Sequence, residues 1–329
     1  MAKKRSPGSQ AAILPKALTT VDGFYELIEV LLDTDRGARF VPREGFGPAV
    51  QTDDKAAACL DRVSAVVEDL LGKPSLPEKR PRLVLLRDLR SLRFLTLRLY
   101  VVFIPLCLFF FYMTLDHSGA DPAVWFVRAV LLFLLLFPLI YRRRLRLNLE
   151  HRCHYRHVDG GEACIFMEEL KEAPFHSYLA HEYAHHVYGT LFGHGQGDRW
   201  FREGWCRLIQ WKVCDRLALE EANHAFLHHV LLQVTGELKF ALTVMGHALR
   251  LRLPGRAKRV KNIFRINSLV SFFTGNPGYD VKSLLTHALG TAFFALALKR
   301  MSFHEATLQL PRRDAPENMS FPPAPPGAK

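Results

Sequence analysis

Apolar residues recur every three to four positions in GFYELIEVLLD, from Gly23, and again in KAAACLDRVSAVVEDLL, from Lys55. That is the period of a helix with one buried face. Thr20 or Asp22 can cap the first helix and Asp53 or Asp54 the second. Residues 20–71 are therefore expected to form an N-terminal helical module behind a basic tail, 1–19. GKPSLPEKRPR, from Gly72 to Arg82, interrupts the pattern with three prolines and reads as a linker. The following LVLLRDLRSLRFLTLRLY alternates Leu with Arg at helical spacing, so residues 72–98 are read as linker plus an amphipathic basic helix suited to a membrane surface.

Two apolar runs then stand close together, Leu99 to Leu115 and Ala123 to Tyr141, with DHSGAD between them. Each is about long enough to cross a hydrocarbon core of roughly 30 Å as a helix. The pattern predicts a two-helix transmembrane hairpin over 99–141, in which Pro105 and Pro138 are tolerable and Arg128 snorkels to the interface. Arg87, Arg90, Arg93 and Arg98 precede the hairpin, Arg142, Arg143, Arg144 and Arg146 follow it, and the turn carries no Lys or Arg. The expectation is a multi-pass protein of the cell (inner) membrane, with both termini cytoplasmic and anionic lipid at the Arg-rich flanks. Residues 142–310 carry their own strand and helix signals and read as a second, cytoplasmic domain. The Pro-rich 311–329 reads as a disordered tail. The fold class expected is mostly α with a small β element, plus the transmembrane hairpin.

Composition changes this picture little. Lys and Arg number 44 against 32 Asp and Glu, a net charge of +12, which favours an anionic partner. Arg clusters beside the apolar runs account for much of that charge, so nucleic-acid binding ranks last. Six cysteines without a CxxC pair argue against a disulfide framework, and the basic start is followed by no apolar stretch of signal-peptide length.

Chemistry concentrates in FHSYLAHEYAHHVYG, where His181, Glu182 and His185 form HExxH. Two His at i and i+4 lie one turn apart on one helix face, so both imidazoles can reach one zinc ion while Glu182 stands beside a water on it. Pro174 can start the helix and Gly189 is available near its end. A third ligand is needed, and His194, Asp198 and Glu203 are candidates. Glu203 is preferred because DRWFREGWCRLIQW reads as a second helix able to pack beside the first. Tyr188 and Leu191 stand where the metzincin pattern requires Gly and His, which excludes that class.

HEYAH followed 18 positions later by Glu203 in Trp200-Phe201-Arg202-Glu203-Gly204-Trp205 resembles the gluzincin metallopeptidases, especially the W-x-x-E-G segment of thermolysin-like aminopeptidases. The resemblance spans about Ala163 to Lys299 and implies an α+β zincin-like domain. It implies His181, His185 and Glu203 as ligands of Zn2+, Glu182 as general base, and a peptide or protein substrate. Two departures stand out. Where the family commonly has an Asp four residues after the ligand Glu, this chain has Arg207, and no G-x-M-E-N-like segment precedes HExxH. EACIFMEE is β-prone and is expected to be the edge strand that aligns substrate, or a plain structural strand. In the late helix NPGYDVKSLLTHALGTAFFALALKR the resemblance makes Tyr279 and His287 candidates for reaching the oxyanion. The resulting expectation is a membrane-anchored zinc metallopeptidase, and the alternative is a non-catalytic membrane scaffold or binding protein that keeps a peptidase-like domain.

Overall fold

The computed structural model describes residues 14–38, 41, 43–72, 80–86, 105–114, 122–132, 153–157, 162–194, 197–254 and 281–312. The periodicity of the first segments produces helices α1 (Val21–Gly37) and α2 (Asp53–Leu71). Thr20 caps α1 by accepting from Gly23 N at 3.1 Å. For α2 the cap is Thr52, not Asp53 or Asp54, which fall in the first turn where carboxylates suit the helix dipole. These helices bury Phe24, Leu27, Val63 and Val67 in the same hydrophobic core as the rest of the chain, α1 against α7 and α8, and α2 against α5, helices defined below.

A three-stranded sheet has the order β1-β3-β2. Its strands are β1 (Arg82–Leu86), β2 (Cys153–Arg156) and β3 (Cys164–Glu168). β1 runs parallel to β3, Arg82 opposite Cys164 and Leu86 opposite Glu168, and β2 runs antiparallel, Tyr155 opposite Ile165. Arg82 closes the expected linker and residues 83–86 are expected to open the basic amphipathic helix, but the five residues form a strand. Leu-Val-Leu-Leu is short and apolar enough to pack as either, and pairing with β3 decides it, because backbone partners there satisfy every second amide. The remainder of that expected helix lies outside the described residues. β3 is the EACIFMEE strand, but it is the centre of the sheet. Its two edges are taken by β1 and β2, so it is not the edge strand.

The transmembrane hairpin is not borne out. Within 99–141 the described residues form two helices, α3 over 105–113 and α4 over 122–132, and no helix among the described residues is long and apolar enough to cross a membrane. At about 1.5 Å rise per residue, the 11 residues of the longer one extend roughly 16 Å, about half a hydrocarbon core. The topology read from the Arg flanks depended on those spans, and the flanking residues 87–98 and 142–146 lie outside the described residues. α3 and α4 leave Phe109, Phe110, Tyr112, Trp125 and Phe126 exposed. Arg128 donates to the Thr114 carbonyl and lies over the Trp125 ring, which uses its charge within the helix pair.

The remaining helices are α5 (Glu172–Phe192), α6 (Arg199–Glu220), α7 (Ala225–Ala248) and α8 (Val281–Ala297). A bridge between Ala49 and Lys171, with Glu172 N donating to Pro48 O at 2.9 Å, ties the start of α5 to the segment before α2. α5 runs past Gly189 to Phe192 and stops at Gly193, whose φ of 96° favours glycine. Gly189 is instead a packing position, since a Cβ there would run into the His194 ring. α6 and α8 pack backbone to backbone: a Cβ on Gly204 would meet Gly290, and one on Gly290 would meet Gly204 and the Trp200 carbonyl. Phe201, Phe293 and Phe294 pack beside this crossing, ring centroids 5.0 to 5.8 Å apart. The crossing matters for chemistry, because Glu203 adjoins Gly204 and His287 lies one turn before Gly290.

Candidate metal centre

The HExxH motif sits on α5 as its spacing predicts, with His181 and Glu182 buried. The i, i+4 histidines present perpendicular rings with centroids 4.9 Å apart. Glu203, in the first two turns of α6, aims one carboxylate oxygen between them. Its Oε2 lies 3.3 Å from His181 Nε2 and 3.2 Å from His185 Nε2. From α8, His287 Nδ1 approaches the same oxygen at 3.6 Å. One ligand atom each from His181, Glu203 and His287 lies within 4.8 Å of the others, close enough to share a metal ion. Arg199 Nε is 3.6 Å from Glu203 Oε1, on the carboxylate's other side.

The donor set fits a cation. Nδ1 of His287, the nitrogen nearest Glu203, is buried without a hydrogen-bond partner, an arrangement native interiors avoid unless something else occupies the site. Burial holds His181 low, at about 3, and lowers His287 as well, so both are neutral imidazoles near pH 7, the form that ligates. Burial works against charge on Glu203, yet His185, His287 and the hydrogen bonds from His181 and His185 outweigh it and keep the carboxyl well below its usual range. Two neutral imidazoles and an ionised carboxylate make an N,N,O set suited to zinc and to other divalent first-row metals.

Glu182, beside the cluster, is held through one oxygen by the sheet. Its Oε2 accepts from the backbone N–H of Tyr155 on β2 at 2.7 Å. Burial pushes its carboxyl up to about 7, near where a general base works best at neutral pH. β2, like β3, lies against the motif helix, and among the described residues it forms an edge of the sheet. The sequence reading missed this strand because CHYR is short and lies in a basic, His-rich stretch without alternation.

Neither other candidate for the third ligand joins the cluster. His194 stacks on His157 with centroids 3.7 Å apart, and Asp198 stands at the N-cap of α6, its carbonyl accepting from Phe201 N and Arg202 N. Tyr279 lies outside the described residues. Cys206 was also missed: it is fully buried, one turn beyond Glu203 on α6, with Sγ 3.2 Å from His185 Nδ1. A partner on Nδ1 fixes which nitrogen His185 offers a metal. Its signal in sequence is only its i+3 spacing from Glu203. Arg207, where the gluzincin pattern has Asp, turns away and pairs with Glu237 of α7.

Comparison with protein-family models, with curated proteins and with solved structures found no match.

Proposed function

We propose that this chain is a zinc-dependent metallopeptidase of gluzincin type. The observation that carries the reading is the convergence of His181 and His185 from one helix on a single oxygen of Glu203 from another, with Glu182 between the two His in sequence and turned toward a sheet edge. His181, His185 and Glu203 would hold the metal. When bound, zinc supplies Lewis acidity that polarises a carbonyl and lowers the pKa of a water to about 7. Glu182 would accept a proton from a water at the site and return it to the leaving amine, a role that a buried carboxyl poised near neutrality suits. β2 offers its outer backbone edge beside Glu182, where an extended peptide can align by strand addition. A module that only binds a partner has no use for a proton acceptor between two metal ligands, which favours catalysis over a scaffold role.

Glu182→Gln tests the reading. The amide keeps the size of the side chain and its acceptor for Tyr155 N–H but removes the base. Metal content should match wild type, while hydrolysis in a peptide-library screen falls about a hundred- to ten-thousandfold. Equal turnover in the two proteins at equal metal content would remove Glu182 from the chemistry and overturn the peptidase assignment.

A further inference from the structure

Nitrogen and oxygen ligands held at about 2.0 to 2.1 Å from a tetrahedral metal ion lie about 3.4 Å from one another. Glu203 Oε2 stands 3.3 Å from His181 Nε2, 3.2 Å from His185 Nε2 and 3.6 Å from His287 Nδ1. All three nitrogens thus stand at about that spacing from one oxygen; His181, Glu203 and His287 also lie within 4.8 Å of one another, while His185 reaches the group through Glu203. Three protein ligands suffice for a hydrolytic site, whose fourth position belongs to water. Here His287 is a further side chain at the same carboxylate oxygen.

Two observations make His287 more than a passing neighbour. Its Nδ1 is buried, has no hydrogen-bond partner and points into the cluster. The residue is also held there by backbone: the contact of Gly204 with Gly290 leaves no room between α6 and α8, and so fixes the height of His287 above Glu203.

We propose that His287 is a fourth protein ligand and that the resting metal centre is closed. His181, His185, Glu203 and His287 complete the coordination of one divalent ion, and the site opens to water or a peptide carbonyl only when the His287 ring swings out. His287, at 23 %, and His185, at 21 %, are the more exposed of the four, against 7 % for His181 and 11 % for Glu203, but His185 is also held through Nδ1 by Cys206 and His287 is not. It is therefore the one that can leave without rebuilding the core. This inference rests on the metal-centre reading above and adds latency to it: a peptidase with a closed centre is silent until something displaces His287.

The test uses the full chain loaded with Co2+, whose visible absorption reports coordination number, titrated with azide as a small anion that takes an open position. Wild type should give the intense bands of a four-coordinate ion and should not respond to azide. His287→Ala should respond to azide and hold cobalt about 10- to 100-fold more weakly, and its peptide hydrolysis should exceed that of wild type. His287→Gln provides a second opening variant with more of the side-chain volume retained. A wild-type spectrum that shifts with azide as readily as that of either variant would show an open fourth position and overturn the proposal. Loss of cobalt binding in His181→Ala and Glu203→Ala, with the azide contrast intact but no hydrolysis by any variant, would keep the closed centre and refute the peptidase reading. Absence of cobalt binding by wild type would refute both.

Discussion

Two buried polar clusters hang from the same helix one turn apart, and they differ in how far their polar groups satisfy one another. Around Glu203, histidines from α5 and α8 crowd one carboxylate oxygen while two of their ring nitrogens stay without partners. Around Arg207 the polar groups satisfy one another. Arg207 reaches Glu237 through Nε at 3.1 Å and Nη2 at 2.5 Å and also donates to Gln210 and Gln233. Thr291 of α8 donates to Glu237 at 2.6 Å, and Gln210 to Ser177 of α5 at 2.8 Å. The second cluster ties four helices together with charge-assisted bonds and needs nothing more. The first leaves ring nitrogens of His181 and His287 unsatisfied, which is why the metal-centre proposal rests on it.

The largest effect expected from this contrast is at Glu203. Glu203→Ala should strip metal to near zero per chain by elemental analysis and abolish hydrolysis, whereas His194→Ala and Asp198→Ala should leave metal content close to wild type. Metal loss on changing His194 with Glu203→Ala harmless would exchange their roles.

Breaking the satisfied cluster should act on stability instead. Arg207→Met leaves Glu237 buried and uncompensated, at a cost of about 3 to 5 kcal/mol measured by denaturant unfolding. The double change Arg207→Met with Glu237→Leu should recover much of that, because no buried charge is then left unpaired. Equal stability of the single variant and wild type would show that the pair contributes nothing.

The link between the two clusters is the Gly204 and Gly290 crossing. Gly290→Ala forces α8 away from α6 and should destabilise by about 1 to 3 kcal/mol. It should also weaken metal binding, since His287 moves with the helix. A stability loss with unchanged metal affinity would show that His287 does not depend on the crossing.

The smallest effect is a pH dependence in the satisfied cluster. His229 Nδ1 lies 3.2 Å from Ser177 Oγ, and burial lowers its pKa from 6.5 to about 4. Between those values the unfolded chain binds more protons than the folded one, so stability rises with pH there. The contribution is fully present above about pH 6.5 and is lost as pH falls through about 4. It amounts to at most about 3 kcal/mol. In metal-free protein, His229→Gln should flatten the slope of unfolding free energy over that window, and an unchanged slope would assign the acid sensitivity to other groups.

Much of the site was legible from local spacing. His181, Glu182 and His185 share a helix because i, i+4 periodicity is a local property, and Glu203 followed from a second amphipathic run close by in sequence. β2 was not legible, since four residues without alternation carry no period. The strand exists because β3 lends it partners, and the same holds for β1, whose Leu-rich start fitted a helix equally well.

By itself, then, the sequence determined the helices α5 and α6, placed His181 and His185 on one face of the first, and pointed to Glu203 on the second. Helix formation and the i, i+4 pair depend on residues within a few turns of one another, where backbone geometry alone sets the distances, whereas the contact of Glu203 with both His needs α6 packed on α5. Tertiary structure alone decided that His287, 84 positions beyond Glu203 in number, stands over the same oxygen, because a backbone contact of two glycines brings α8 onto α6. It also decided that Arg207 serves the core and that Cys206 takes the place beside His185. Apolar composition alone suggested a spanning hairpin at 99–141. Hydrophobicity says that a side chain leaves water, and only the helix actually formed, too short among the described residues to span a bilayer, says how far that helix can reach.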